Sequence, residues 1–119
     1  MRTYHHLDVL EHGDIIVVRV KVRHFLADAW IVNAIGSGLD ELADRSDCRK
    51  LIVDFVGVED LSSLMLGLLV KLRKKMAGKE GQLVLCGLSP NLRKFFDETM
   101  LGQLFKTRET EADAFAALA

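Results

Sequence analysis

The stretch from Lys50 to Met76 constrains the fold more than any other part of this 119-residue chain. Leu51-Ile-Val-Asp-Phe55 is a short, nearly unbroken apolar run rich in β-formers. It lacks period-two alternation, so both of its sides need cover, as in a central strand flanked by helices. A Gly-containing turn, Val56 to Leu61, leads to two serines, Ser62 and Ser63. Met65, Leu69, Leu72 and Met76 then recur at helical spacing. Lys71, Arg73, Lys74 and Lys75 gather toward the end where cations complement the helix dipole. The pattern predicts strand, turn and helix with a serine N-cap, whose hydroxyl satisfies an amide the helix leaves unpaired. One or two hydroxyls therefore stand at the positive end of a helix. Such a serine is either a cap and nothing more, or an acceptor for phosphate. The added charge of about −1.5 to −2 would meet unpaired amides and a favourable dipole.

Upstream, Tyr4 to Glu11 and Asp14 to Arg23 read as two strands joined by a tight turn at His12-Gly13. In the second, Ile16, Val18, Val20 and Val22 share one face. Ile15 and Val17, then Arg19, Lys21 and Arg23, form the other, so one face is core and one half solvated. A helix is predicted from about Asp28 to Asp44, with Asp28 as its cap or in its first turn. Ile31, Ile35, Leu39 and Leu42 make its buried stripe. Gly36 and Gly38 inside it cost about 1 kcal/mol each relative to Ala, and suit close packing against the sheet.

Downstream, Gly78 and Gly81 mark a C-cap and a turn, and Gln82 to Cys86 is another apolar strand. Ser89-Pro90 opens a helix that ends near Thr99, with Leu92, Phe95 and Phe96 facing inward. Gln103 to Lys106 reads as a short edge strand. Thr110 with Asp113 resembles a capping box before a last helix, whose apolar side is Ala112, Phe115, Ala116 and Leu118. Alternating strands and helices imply right-handed βαβ crossovers. The expectation is a single α/β domain: a mixed, mainly parallel sheet of four to five strands, an antiparallel hairpin strand at one edge, and about four helices.

Composition removes several function classes. Half the residues are hydrophobic, so a packed core is expected. A net charge of −1 lacks the basic excess of a nucleic-acid binder. No apolar run approaches the roughly 20 residues of a membrane span, and the first residues lack a signal peptide's apolar region. No membrane insertion and a cytoplasmic setting are expected. Cys48 and Cys86 form no CxxC pair, and His5, His6, His12 and His24 all fall in the hairpin region without metal-ligand spacing. No phosphate-binding glycine motif is present. Asp54 ends a central strand, where α/β catalytic groups gather, but lacks a partner base. It is expected to order the following loop by accepting backbone amides. No enzymatic activity, cofactor or metal is expected.

Val58-Glu-Asp-Leu-Ser-Ser-Leu-Met-Leu-Gly67 resembles the signature of STAS domains, the fold of bacterial anti-sigma-factor antagonists. That signature runs roughly Val-x-x-Ile-Asp-Ser-x-Gly-Leu-Gly, after a strand of the type Val-x-Leu-Asp-Leu. Leu51 to Phe55 fills the strand, and Val58, Leu61, Ser63, Leu66 and Gly67 fill signature positions. Gly81 to Pro90 resembles the family's Gly-x-x-Leu-x-Leu-x-x-x-Ser-Pro segment, and Asp97 to Phe105 its Thr-x-Leu-x-x-Leu-Phe stretch. The chain departs from the signature at Ser62, where the family has an acidic residue, and at Leu64 and Met65, where it has small ones. Met65 is thereby expected to crowd the helix start.

The resemblance implies a non-enzymatic, partner-switching regulator of transcription. Ser63, with Ser62 as the alternative hydroxyl, would be the phosphorylation site. The partner would be an anti-sigma factor that is also a serine kinase, so the catalytic groups would lie in the partner. The expected partner-binding residues are Phe25, Leu26, Asp28, Asp60, Ser62, Ser63, Leu64 and Met65. Ordinary core packing is the competing reading of Phe25, Leu26 and Met65, and the better one for at least one of them. The alternative is a constitutive scaffold subunit of a signalling or transport assembly, binding a partner or a second copy as a homodimer, without a covalent switch.

Overall fold

Period-two patterning in the hairpin and the unbroken apolar run after Lys50 build one five-stranded sheet with the order β1-β2-β3-β4-β5. A computed structural model describes residues 6–22 and 29–118. The strands are β1 (Leu7–His12), β2 (Ile15–Val20), β3 (Lys50–Asp54), β4 (Gln82–Cys86) and β5 (Lys106–Arg108). Only β1 and β2 pair antiparallel; each later neighbour is parallel. The helices are α1 (Ala29–Asp44), α2 (Ser63–Gly78), α3 (Pro90–Glu98), α4 (Leu101–Leu104) and α5 (Glu111–Leu118). The mixed, mainly parallel architecture is thus as expected. Asp28, the expected cap of α1, lies outside the described residues.

The hairpin register pairs His12 with Ile15, so its two-residue turn is Gly13-Asp14, one residue later than expected. Gly13 takes φ 64, a left-handed conformation that glycine adopts without steric cost. β3 is covered on both faces. Leu51 and Val53 face a core shared with α1, α2 and α3, while Ile52 faces a smaller core with Val17, Val84, Cys86, Ala114 and Leu118. The second face of β2 is therefore not simply half solvated. Val17 lies in the core beneath α5, and Arg19 reaches Glu111 of that helix.

Met65, Leu69, Leu72 and Met76 are the buried residues of α2, as the spacing predicts. In α1, Ile35, Leu39 and Leu42 are buried as the spacing predicts, while in the first turn Val32 is buried and Ile31 only partly so. Gly36 packs against α2 rather than the sheet, for a Cβ there would stand 2.6 Å from Leu68 Cδ1. Lys75 ties the two helices by reaching Asp40 (2.6 Å) and Asp44 (2.8 Å). The end of α2 differs from expectation. Lys79 is the C-cap, and Glu80, not a glycine, takes the left-handed φ of 58. The Gly81 amide donates to Met76 O (2.8 Å) and the Glu80 amide to Ala77 O (3.1 Å), which together satisfy the last carbonyls. Gly81 is needed for room, since a Cβ would lie 2.9 Å from the Arg49 carbonyl.

Three further expectations are corrected. Phe95 is 42% exposed; Leu92 and Phe96 alone are the buried residues of α3. Gln103 and Leu104 lie in the one-turn α4, which starts where Thr99 Oγ1 accepts the Leu101 amide, so the edge strand begins at Lys106. Among the described residues this makes five helices, α4 being a single turn beside the roughly four expected. In α5, Thr110 Oγ1 accepts the Asp113 amide as expected. The buried positions are Ala114 and Leu118, one helical turn apart, while Ala112 and Ala116 are exposed.

Leu69→Ala should lower the unfolding free energy by about 2–5 kcal/mol, because it opens a cavity beneath a fully buried side chain. Leu64→Ala, toward solvent on the same helix, should change it by under about 0.5 kcal/mol. Urea denaturation of both variants checks the assigned faces of α2.

Candidate functional site at the start of α2

The chain leaves β3 at Asp54 through a turn held at both ends. Asp54 Oδ1 accepts the Val56 amide (2.9 Å), as expected of it, and the Phe55 amide donates to Cys86 O (2.9 Å). Phe55 and Val58 are buried apolar pegs, and the Val58 amide returns to Phe55 O (2.9 Å). Gly57 between them takes φ 88, and Val56 at the apex is 67% exposed. Ser89 Oγ donates to Glu59 O (3.4 Å), joining this turn to the start of α3.

The two serines have different environments. Ser62 is the N-cap, with φ −77 and ψ 161. Its Oγ accepts the Met65 amide (3.1 Å), and its carbonyl accepts the Leu66 amide (3.0 Å). Ser62 is half-buried, whereas Ser63 is the first helical residue and is exposed. Helical geometry provides no acceptor within the helix for the amides of Ser63 and Leu64. Ser63, Gly67 and Lys71 are exposed along one outward face, and a Cβ at Gly67 would meet nothing within 4 Å.

Of the residues expected to bind a partner, the structure brings together Asp60, Ser62, Ser63 and Leu64. Asp60 is half-buried and Leu64 is 41% exposed. Met65 is corrected: it is fully buried, so it offers nothing to a visitor and does not crowd the helix start. Phe25, Leu26 and Asp28 lie outside the described residues, as do His5 and His24. Val56 and Trp30 are exposed apolar residues that sequence reasoning passed over. Trp30 stands outside the α1 stripe in the sequence, which is a usable signal; Val56 follows the last strand residues and reads as part of the apolar run.

A second polar cluster lies behind the same turn. Arg19 grips Glu111 with both prongs, Nε to Oε2 at 2.7 Å and Nη2 to Oε1 at 2.9 Å. The buried Asp54, register partner of Arg19 on the neighbouring strand, lines one pocket with Arg19 and Glu111. Burial first, then Glu111, pushes the Asp54 pKa up to about 6, while Arg19 holds Glu111 down to about 2. Burial pushes the neighbouring Cys86 thiol up to about 12, so it is no reactive thiolate. The Arg19–Glu111 partners are 92 residues apart and carry no spacing signal in the sequence. Among the described residues no group of three or more His, Cys, Asp or Glu is placed to hold a metal ion, and no helix is long and apolar enough to cross a membrane.

The STAS domain family profile matches residues 6–114, and the chain belongs to that family. Similar solved structures include an anti-sigma-factor antagonist (STAS) domain protein from Planctomyces limnophilus. It aligns at TM-score 0.80 and 21% identity over 94% of this chain and 97% of that one. An anti-sigma factor antagonist from Mycobacterium paratuberculosis aligns at TM-score 0.78 and 26% identity over 93% and 91%. The Bacillus cell fate determinant SpoIIAA in its phosphorylated form aligns at TM-score 0.69 and 19% identity over 95% and 99%. No curated protein matches the chain in sequence.

Ser62→Ala should lower stability by about 1 kcal/mol through loss of the cap, and Ser63→Ala by well under that. Thermal or urea unfolding of the two variants separates the capping hydroxyl from its neighbour.

Proposed function

We propose that this chain is a non-enzymatic, protein-binding regulator of the anti-sigma-factor antagonist type, acting in a bacterial cytoplasm, with Ser63 as its phosphoacceptor. The partner is a protein that is both anti-sigma factor and serine kinase. The supporting observation is the division of labour between adjacent hydroxyls: Ser62 is engaged as the cap, and Ser63 is exposed at the positive end of α2. The likeness to a phosphorylated SpoIIAA structure supports the same fold in such a role.

The chemistry asks little of this chain. The kinase supplies the base that takes the Ser63 proton, and Ser63 Oγ attacks the γ-phosphorus of ATP as ADP departs. Unpaired amides and the helix dipole then stabilise the phosphate, so α2 keeps its structure. The new charge of about −1.5 to −2 sits beside exposed Leu64, where it opposes burial against a partner.

Incubation with ATP and the serine kinases of the host, followed by intact-mass and fragment analysis, tests this reading. One phosphate on Ser63 is expected, lost in Ser63→Ala and kept in Ser62→Ala. Phosphate on Ser62 contradicts it, and no phosphate with any kinase favours the constitutive scaffold. Ser63→Asp should weaken binding to the phosphorylating partner by about 1 kcal/mol or more, measured calorimetrically; equal affinity contradicts the switch.

A further inference from the structure

We propose that Asp54 and Glu111 share one proton and that this proton latches α5, together with the turn after β3, onto the sheet. α5 has few anchors of its own. It is eight residues long and buries only Ala114 and Leu118 fully, and a helix of that length is not stable in isolation. Its polar ties to the sheet are the two-pronged grip of Arg19 on Glu111 at its start and the Lys106 ammonium donating to Ala117 O (3.3 Å) near its end. Asp54, the register partner of Arg19, lines the same pocket as Glu111 and at the same time fixes the Val56 amide, so it stands where the helix and the turn meet. The neighbouring backbone is tight: Gly87 takes φ 69, and a Cβ there would lie 2.9 Å from the Val56 nitrogen.

Charge balance makes the proton consequential. With one proton on the pair, a single carboxylate faces the single Arg19 guanidinium. Without it, two carboxylates, one of them the buried Asp54, compete for that guanidinium, and like charges repel. The other groups facing the cluster do not supply the missing positive charge cleanly. From β1 come Asp8 and His12. Lys21, which follows β2, is paired with Asp8 at 3.3 Å, and from β4 comes the Cys86 thiol. Glu109 lines the same pocket of about 360 Å³ and adds negative charge. Because the folded Asp54 pKa is raised, its stabilising share is full below the unfolded value and is lost as pH rises through about 6. Glu111, depressed by Arg19, contributes stability above its unfolded value that is lost as pH falls toward about 2. The latch is therefore tightest near pH 4–5 and loosens toward neutrality. It stands whether or not Ser63 is a phosphoacceptor.

Carbon-detected titration of side-chain carboxyls in the full chain, with amide hydrogen exchange of α5 corrected for intrinsic rates, tests the latch. The Asp54 carboxyl should titrate near pH 6, and α5 protection should fall by about tenfold from about pH 5 to about pH 7. In Asp54→Asn that fall should disappear, and in His12→Phe it should persist. An Asp54 carboxyl titrating in the ordinary aspartate range, or α5 protection flat across that interval in the wild type, overturns the proposal. So does a fall abolished by His12→Phe, which would assign the sensitivity to the histidine packed on Phe115. The wild-type titration needs no variant, so misfolding of Asp54→Asn cannot mask the outcome.

Discussion

Burial of β3 on both faces is the constraint from which the other elements follow. Leu51, Ile52 and Val53 have no solvent side, so the chain must supply cover above and below the strand. α1, α2 and α3 close one face, and α5 closes part of the other. Parallel pairing of β3 with both neighbours then requires each connection to cross back over the sheet, which puts the C-terminal ends of β2, β3 and β4 on one rim. The start of α2 stands on that rim because β3 leads directly into it.

On the rim, the two ends of one short turn do opposite things. At its beginning, Asp54 points into a polar cluster and holds the Val56 amide. At its end, Ser62 caps α2 and leaves Ser63 outside. Phe55 and Val58 bury the turn's apolar weight between these points, so the position of Ser63 is set by packing rather than by local propensity. An exposed hydroxyl on a rigid helix start is a defined target for a second protein. The serine beside it, used as a cap, is a poorer one.

The sequence carried the parts of this arrangement that depend on local rules. The α2 stripe, the Ser89-Pro90 start of α3, the Thr110 cap and β4 follow from periodicity and capping chemistry, and the structure has them where those rules put them. Errors fall where tertiary contacts outweigh local pattern. Glu80 adopts a conformation expected of glycine because the α2 terminus is fixed by hydrogen bonds to Met76 and Ala77. Phe95 is exposed because Leu92 and Phe96 already fill the space beneath α3. Met65 read as either core or surface, and burial assigns it to the core. The Arg19–Glu111–Asp54 cluster was invisible, since nothing in a linear pattern brings β2, β3 and α5 to one point. Which of two adjacent serines caps the helix was equally open until the backbone dihedrals separated them.

Thiol labelling gives the most direct measure of the central claim that Ser63 is presented and Ser62 is engaged. Cys48 and Cys86 are both buried, so the native protein should react slowly with an aromatic disulfide reagent. Ser63→Cys should react rapidly in the folded state, and Ser62→Cys much more slowly. Equal rates, or faster labelling at position 62, would contradict the account.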